Sequence, residues 1–305
     1  MKKLVFRGAA STGFRAPSLA QSHFSYTQSV FVESVPHMLG TFPVDHPLSK
    51  ILGAKPLKPE KSMHYSGGAA IQLIKNLYIS ADYFFVDIKD RILLTSNLTK
   101  STVPAYASVL DSFKVKGTRY FTNSIDTKTQ GVDVILKYHL NLNSNSSLLL
   151  AAAAHFNQTE ILGEVRVPEQ MEAYADAVFD RGYKERIVSS QPGENYIFSA
   201  NYVFKKNDIM WRIIRYGEVK YAHKSSDPQY DQTYSPKFIS DLQITYKLSR
   251  NLSITLGGHN IFNVYPDKSI PVEGNSFAGI THAYNSISPF GFEGASYYGR
   301  LVYKL

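Results

Sequence analysis

The chain has 305 residues, 44% hydrophobic and 19% charged, with a net charge of +8, 21 Tyr, 18 Phe, one Trp and no Cys. That is too apolar for a disordered chain, and without Cys there is no disulfide, thiolate zinc site or cysteine nucleophile. No run approaches the ~18 apolar residues a membrane-spanning helix needs; strands, which cross with ~9–11 alternating residues, are not excluded.

In chain order, the start Met1-Lys2-Lys3-Leu4 is basic, but Arg7, Ser11, Thr12 and Arg15 interrupt it before an apolar core forms. No export signal is read there, and the expectation is that an upstream segment is missing. A first strand is predicted near Lys3–Ser11, followed by a long loop over Ala16–Ser62. Strands near His64–Ile74 and Leu77–Ile92 flank the tight turn Lys75-Asn76. In the second, Leu77, Ile79, Ala81, Tyr83 and Phe85 oppose Tyr78, Ser80 and Asp82, the period-two pattern of a half-buried strand. A loop over Ser96–Thr118 leads to strands near Arg119–Leu140 and Ser147–Ile161, joined at Asn141–Ser146.

The next loop, Gly163–Pro192, contains a predicted helix from Val167 to Gly182, with Pro168 in its first turn and Gly182 closing it. Met171, Tyr174, Ala175 and Val178 share one face, and the helix is read as decoration on the loop. Strands near Asn195–Phe204 and Ile209–Tyr221 meet at the polar turn Lys205–Asp208. After His223–Ser235 come strands near Phe238–Leu248 and Leu252–Phe262 around Arg250-Asn251, a loop over Pro266–Phe292 and a last strand near Glu293–Leu305. That strand puts Tyr297, Gly299, Leu301, Tyr303 and Leu305 on one face.

The fold class is therefore all-β and antiparallel, with about ten strands joined alternately by tight turns and long loops. A soluble sandwich has short connections at both ends, commonly ~4–6 residues. A membrane barrel instead has tight turns on one side and elaborate loops on the other.

Four stretches carry a resemblance. They are Phe14-Arg15-Ala16-Pro17-Ser18-Leu19, Leu57-Lys58-Pro59-Glu60-Lys61-Ser62, Thr129-Gln130-Gly131-Val132-Asp133 and Gly258-His259-Asn260-Ile261-Phe262-Asn263-Val264-Tyr265. In this order and on these strands the chain resembles the C-terminal part of a TonB-dependent outer-membrane receptor barrel, with Asp133 where the family commonly has Glu. The resemblance implies a transmembrane barrel of about 22 strands closed by a plug domain. Residues 1–305 would form one partial barrel domain, lacking the plug and about twelve strands, with its C-terminus periplasmic. It also implies active import of a scarce nutrient such as a ferric siderophore, haem, cobalamin or an oligosaccharide, powered by a TonB energy-coupling complex that contacts the missing region.

The motif residues Phe14, Arg15, Ala16, Pro17, Leu57, Lys58, Pro59, Glu60, Gly131, Asn260, Phe262 and Tyr265 are assigned mainly structural roles, since Pro removes a ladder donor and belongs where strands end. His23, His37 and His46 lie in the first long loop, where haem receptors of this family place a haem-ligating His, and are carried as substrate-binding candidates. Lys55-Pro56-Leu57 only partly matches the stretch that accompanies such a ligand. Alternation places Asp82, Asp133, His155, His259 and Arg300 toward the lumen.

No cofactor or resident metal is assigned; Asp227 and Asp231 could touch Ca²⁺ but lack a glycine-turned loop. The basic residues are scattered, so contacts with lipid and lipopolysaccharide are expected and nucleic-acid binding is not. No hydrolase, metalloprotease or phosphate-loop motif is present. The alternatives are a passive or structural barrel without a plug and a soluble β-sandwich adhesin.

Overall fold

In a computed structural model the structure describes residues 3–32, 35–223, 228–270 and 283–304, side chains at 3, 30–37 and 228 excepted. Its strands are β1 (Lys3–Arg15), β2 (Tyr26–Val32), β3 (Val35–Thr41), β4 (Glu60–Ile74), β5 (Leu77–Leu94), β6 (Leu98–Thr99), β7 (Gly117–Arg119) and β8 (Phe121–Asn143). They continue as β9 (Ser146–Leu162), β10 (Glu194–Phe204), β11 (Asn207–Tyr216), β12 (Val219–Tyr221), β13 (Gln232–Tyr234), β14 (Lys237–Lys247), β15 (Leu252–His259) and β16 (Ser296–Tyr303). The helices are α1 (Leu19–His23), α2 (Pro47–Ile51), α3 (Ala107–Ser112), α4 (Ala175–Val178) and α5 (Arg181–Ser189).

Ten strands form one antiparallel sheet in the order β1-β4-β5-β8-β9-β10-β11-β14-β15-β16. It does not close: among the described residues β1 and β16 each pair on one side only. Because paired residues share a face, the register sorts the side chains. Arg7, Gly68, Asp82, Asp133, His155 and Asn195 form one connected series on one face, and Phe6, Ala69, Ala81, Val134, Ala154 and Tyr196 lie on the other. The first face is polar. The second is apolar and open, with Phe6 76%, Leu256 64% and Leu301 67% exposed. A continuous apolar band of this size requires an apolar neighbour.

Aromatic rings border that band. Tyr138, Tyr202, Phe204, Tyr246 and Tyr303 sit beside the tight turns, and Phe14, Tyr65, Phe156, Tyr196 and Phe238 toward the long connections. Phe156 and Tyr196 meet edge-on at 5.7 Å, while Tyr202 and Phe204 stack at 6.2 Å. Amphipathic rings suit the level where apolar and aqueous phases meet.

The buried core lies above the sheet, not behind it. Leu48, Leu52, Leu98, Leu110, Tyr120 and Met171, all fully buried, come from three successive long connections. A small sheet ordered β2-β3-β7-β6 ties the first connection to the second. The Tyr120 hydroxyl donates to the Leu52 carbonyl at 2.8 Å, and Tyr106 donates to the Gln170 carbonyl at 2.9 Å. Gly53, at φ +86, allows close approach: a Cβ there would stand 2.4 Å from Pro168. These connections form one folded cap. Removing the Tyr120 hydroxyl by Tyr120→Phe orphans that buried carbonyl and is expected to cost about 1 kcal/mol, read as a lower denaturation midpoint at unchanged slope; an unchanged midpoint refutes the bond's contribution.

Several boundaries move. β1 runs to Arg15 rather than Ser11, β4 begins at Glu60 rather than His64, and the segment predicted as Ile209–Tyr221 divides at Gly217 into β11 and β12. Gly217 permits the break, since a Cβ there would meet the Glu194 carbonyl at 2.5 Å. The last strand ends at Tyr303, and Leu305 lies outside the described residues. The helix predicted through Gly182 is a correction of kind: a 3₁₀ turn at Glu169–Tyr174 and α4 precede a separate helix, α5, that starts where the prediction stopped. Asp180 restarts the chain by accepting the Tyr183 N–H at 2.8 Å, an N-cap that was not recognised in the sequence.

Candidate functional site

Two of the motif stretches, Phe14–Leu19 and Leu57–Ser62, come together at the cap end of the sheet, where strands give way to the cap. Arg15, last residue of β1, donates Nε and Nη2 to Glu60, first residue of β4, at 2.8 and 2.6 Å. Glu60 Oε1 also accepts the Ile92 N–H at 2.8 Å. Where β5 shifts register against β8, the Asp90 N–H, at φ +55, donates to Asp126 Oδ1 at 2.9 Å. Lys58 contributes its backbone: its N–H donates to Asn123 Oδ1 and its carbonyl accepts from Asn123 Nδ2, at 2.8 and 2.9 Å. Leu57 and Pro59 flank Lys58 just before β4, while Ala16 and Pro17 end β1 ahead of the Ser18 cap of α1. Phe14 points its ring from the apolar face, 80% exposed.

Further down, Gly131 stands opposite Phe84, whose ring lies 2.4 Å from where a Cβ would be, with the Phe156 carbonyl at 2.2 Å. The phenyl ring packs across the bare glycine and stacks at 5.9 Å on His155. His155 Nδ1 meets Asp133 at 2.5 Å, and its Nε2 meets Asn157 at 3.0 Å. Arg7 similarly pairs with Asp82 through two hydrogen bonds.

A second network centres on Asp241, which is 5% exposed. Its carboxylate accepts from Arg212 at 3.0 Å, His259 Nδ1 at 2.6 Å and the Asn260 N–H at 3.0 Å. Asn260, at φ +51, closes a turn by pairing its amide with both backbone groups of Val264, at 2.8 and 2.9 Å. Tyr265 stacks on Tyr284 at 5.5 Å, and Phe262 is 70% exposed beyond the strand. The register puts Asp241 on the polar face beside Arg212, and its hub role comes from contacts across β11, β14 and β15.

The three candidate histidines occupy separate elements. His23 is exposed at the end of α1. His37 lies on β3, paired by backbone with Val30, and its side chain lies outside the described residues. His46 caps α2: its Nδ1 accepts the Leu48 N–H at 3.2 Å and its ring stacks on Phe42 at 4.2 Å. Burial pushes the His46 imidazole below its ordinary value, with Asp45 acting in the opposite direction. A folded-state value below the unfolded one means the unfolded chain binds the proton more tightly. The cap is therefore fully stable above about pH 6.5 and weakens as pH falls through the lower folded value. Amide exchange of Leu48 is expected to speed up more between about pH 7 and about pH 5 in the native chain than in His46→Asn, after correction for intrinsic rates; equal changes contradict this role.

Among the described residues no group of three or more His, Asp or Glu is arranged to hold a metal ion. Asp227 lies outside the described residues, and Asp231 is engaged by Arg181 and the His223 N–H. Arg300 faces the polar side opposite Thr255, with its guanidinium 5.8 Å from the Tyr298 ring.

The family model described as TonB dependent receptor-like, beta-barrel, matches residues 2–261. Among solved structures, the copper transporter OprC aligns over 98% of this chain and 37% of its own, at 14% identity and TM-score 0.58. A ferric enterobactin receptor (PfeA) mutant from Pseudomonas aeruginosa aligns over 98% and 38%, at 17% identity and TM-score 0.59. The siderophore receptor PirA from Acinetobacter baumannii aligns over 98% and 39%, at 16% identity and TM-score 0.53. The chain thus spans under two-fifths of the length of these structures. A comparison with curated proteins gives no match.

Proposed function

We propose that this chain, which belongs to the TonB-dependent receptor-like β-barrel family, supplies ten strands of an outer-membrane receptor that actively imports a scarce nutrient. The observation that carries the reading is the pairing of a two-faced open sheet with a folded cap over one end. The apolar face and its aromatic borders suit lipid, and lipopolysaccharide would contact the basic residues near the rim. The polar face would line the lumen, and residues 1–305 form one partial barrel domain. Unpaired strand edges are untenable in lipid, so the edges of β1 and β16 would be satisfied by further strands of a larger barrel.

In this reading the cap faces outward and meets a small molecule or metal chelate. The TonB energy-coupling complex would act through a plug region outside this chain. The proposed role is transport, not catalysis. The motif residues hold the rim and turns, and His23, His37 and His46 stay candidates for substrate contact, with His46 already committed to its cap. Uptake of candidate ligands by cells carrying the receptor should disappear when TonB is deleted; uptake that survives the deletion would favour the passive pore. Heat-modifiable migration of the detergent-solubilised receptor is expected, whereas a soluble sandwich would migrate alike before and after boiling.

A further inference from the structure

Near the cap, four cations project from the apolar face of the ladder: Lys61 on β4, Lys89 on β5, Lys128 on β8 and Arg215 on β11. Two of them are neutralised within the sheet. Lys128 pairs with Glu160 at 3.2 Å, and Arg215 pairs with Glu194 at 2.7 Å while covering the Tyr196 ring at 5.4 Å. Lys61 and Lys89 differ. They are register partners, both exposed, and among the described residues neither ammonium has a carboxylate within 4.0 Å. Asp126 is held instead by Arg166 at 2.8 Å and by the Asp90 N–H at 2.9 Å, and Asp87 stands opposite Lys128 in the register.

Like charges directly opposed on neighbouring strands repel, with Cβ atoms only about 5 Å apart. The pair therefore costs stability unless an anion lies between the two ammoniums, and one phosphate can reach both. Their level on the sheet says where that anion would be. Twelve residues separate Leu77, at the tight turn, from Lys89, about 40 Å along the strand at about 3.3 Å per residue. At the tilt usual for membrane barrels, about 40°, this is a height of about 30 Å, against an apolar band of about 25 Å. The ammoniums thus stand just beyond the hydrocarbon while their stems cover apolar surface. On the same face Phe14 lies beside Lys61 and is 80% exposed, with Met63 and Tyr65 below it.

We infer that Lys61 and Lys89 jointly bind a phosphate of an outer-leaflet glycolipid, the lipid portion of lipopolysaccharide, whose acyl chains lie along the apolar face beneath. The inference rests on the outer-membrane reading, in which the cap end faces outward, and gives its lipid contact one site in place of a diffuse basic rim. A lysine ammonium acts toward phosphate as a point charge, so recognition is of the phosphate rather than of the sugar that carries it.

The test titrates the delipidated, detergent-solubilised full receptor with diphosphorylated lipid A, the same lipid dephosphorylated, phosphatidylglycerol and inorganic phosphate. The expected result is saturable binding of the diphosphorylated lipid, weakened at least about threefold between about 0.05 and about 0.5 M salt, because exposed charges are screened. Lys61→Gln and Lys89→Gln should each weaken it about fivefold, and together about thirtyfold, as loss of one and two cations at an anionic lipid surface does. Heat-modifiable migration should be retained in all three variants. Lys128→Gln removes a charge that is already paired and should change binding less than about threefold. Equal binding of the dephosphorylated lipid, or indifference to the double substitution, overturns the inference. So does phosphatidylglycerol binding as tightly, which marks a general anionic-lipid surface, or inorganic phosphate alone occupying the pair. In each of these cases a receptor found in the outer-membrane fraction leaves the receptor reading standing; absence from that fraction would sink both.

Discussion

Gly131→Ala is expected to cost about 3 kcal/mol, near the upper range for overpacking a closely fitted site, and to reduce sharply the yield of assembled receptor. The added Cβ would lie 2.2 Å from the Phe156 carbonyl and 2.4 Å from the Phe84 ring. The ring could turn away, losing its stack on His155. The carbonyl belongs to the neighbouring strand and cannot move without opening the β8–β9 ladder, where Gly131 pairs with Asn157. Gly67 supplies the control. It lies in β4, and a Cβ there meets nothing within 4 Å. Gly67→Ala should stay within ~0.5 kcal/mol of the parent, as open surface substitutions do. Denaturation midpoints in detergent micelles separate the two; equal midpoints would show that Gly131 has no packing requirement.

Asp241→Leu is the second large effect, expected near 3 kcal/mol because one partner of a buried, hydrogen-bonded charge pair is removed. The substitution strands Arg212 and His259 and leaves the Asn260 N–H without its acceptor. Arg212 keeps a 42% exposed side chain, so water recovers part of the loss. Asp241→Asn retains an acceptor for Asn260 and should cost less, about 1–2 kcal/mol. The Asn260 turn should loosen in the Leu variant, read as faster amide exchange at Val264, whose N–H is held by Asn260 at 2.9 Å. An unchanged Val264 rate would detach Asp241 from the turn.

The strand pairs were legible because a half-buried strand writes its two faces in alternate letters. Leu77, Ile79 and Ala81 against Tyr78, Ser80 and Asp82 needed no long-range information. Boundaries failed where that contrast fades. Thr12 to Arg15 and Glu60 to Met63 belong to strands, yet they rise into the cap contacts and carry polar residues on both faces. The cap itself was illegible. Leu48, Leu98 and Met171 are separated by long stretches of sequence and meet only through three-dimensional packing, so each connection alone reads as an ordinary loop.

The motifs were visible as strings, but their physical link was not. Arg15 and Glu60 are distant in sequence, and only strand pairing makes them the two ends of one hydrogen-bonded clasp. His46 was singled out as a possible ligand on residue type. The same chemistry, an imidazole nitrogen with a free lone pair, serves there as a helix cap.

The central claim is that one face of this sheet lies in lipid and the other lines an aqueous interior. The chain has no Cys, so single cysteines can be placed without background from it. On β10, Phe198, Ala200 and Tyr202 share the apolar face, and Ile197, Ser199 and Asn201 share the other. Cysteines at these six positions of the assembled receptor, labelled and tested for quenching by lipid-borne against water-soluble quenchers, should alternate strictly. Lipid quenching is predicted at 198, 200 and 202, and aqueous quenching at 197, 199 and 201. Aqueous quenching at all six positions, or no alternation, would contradict the account.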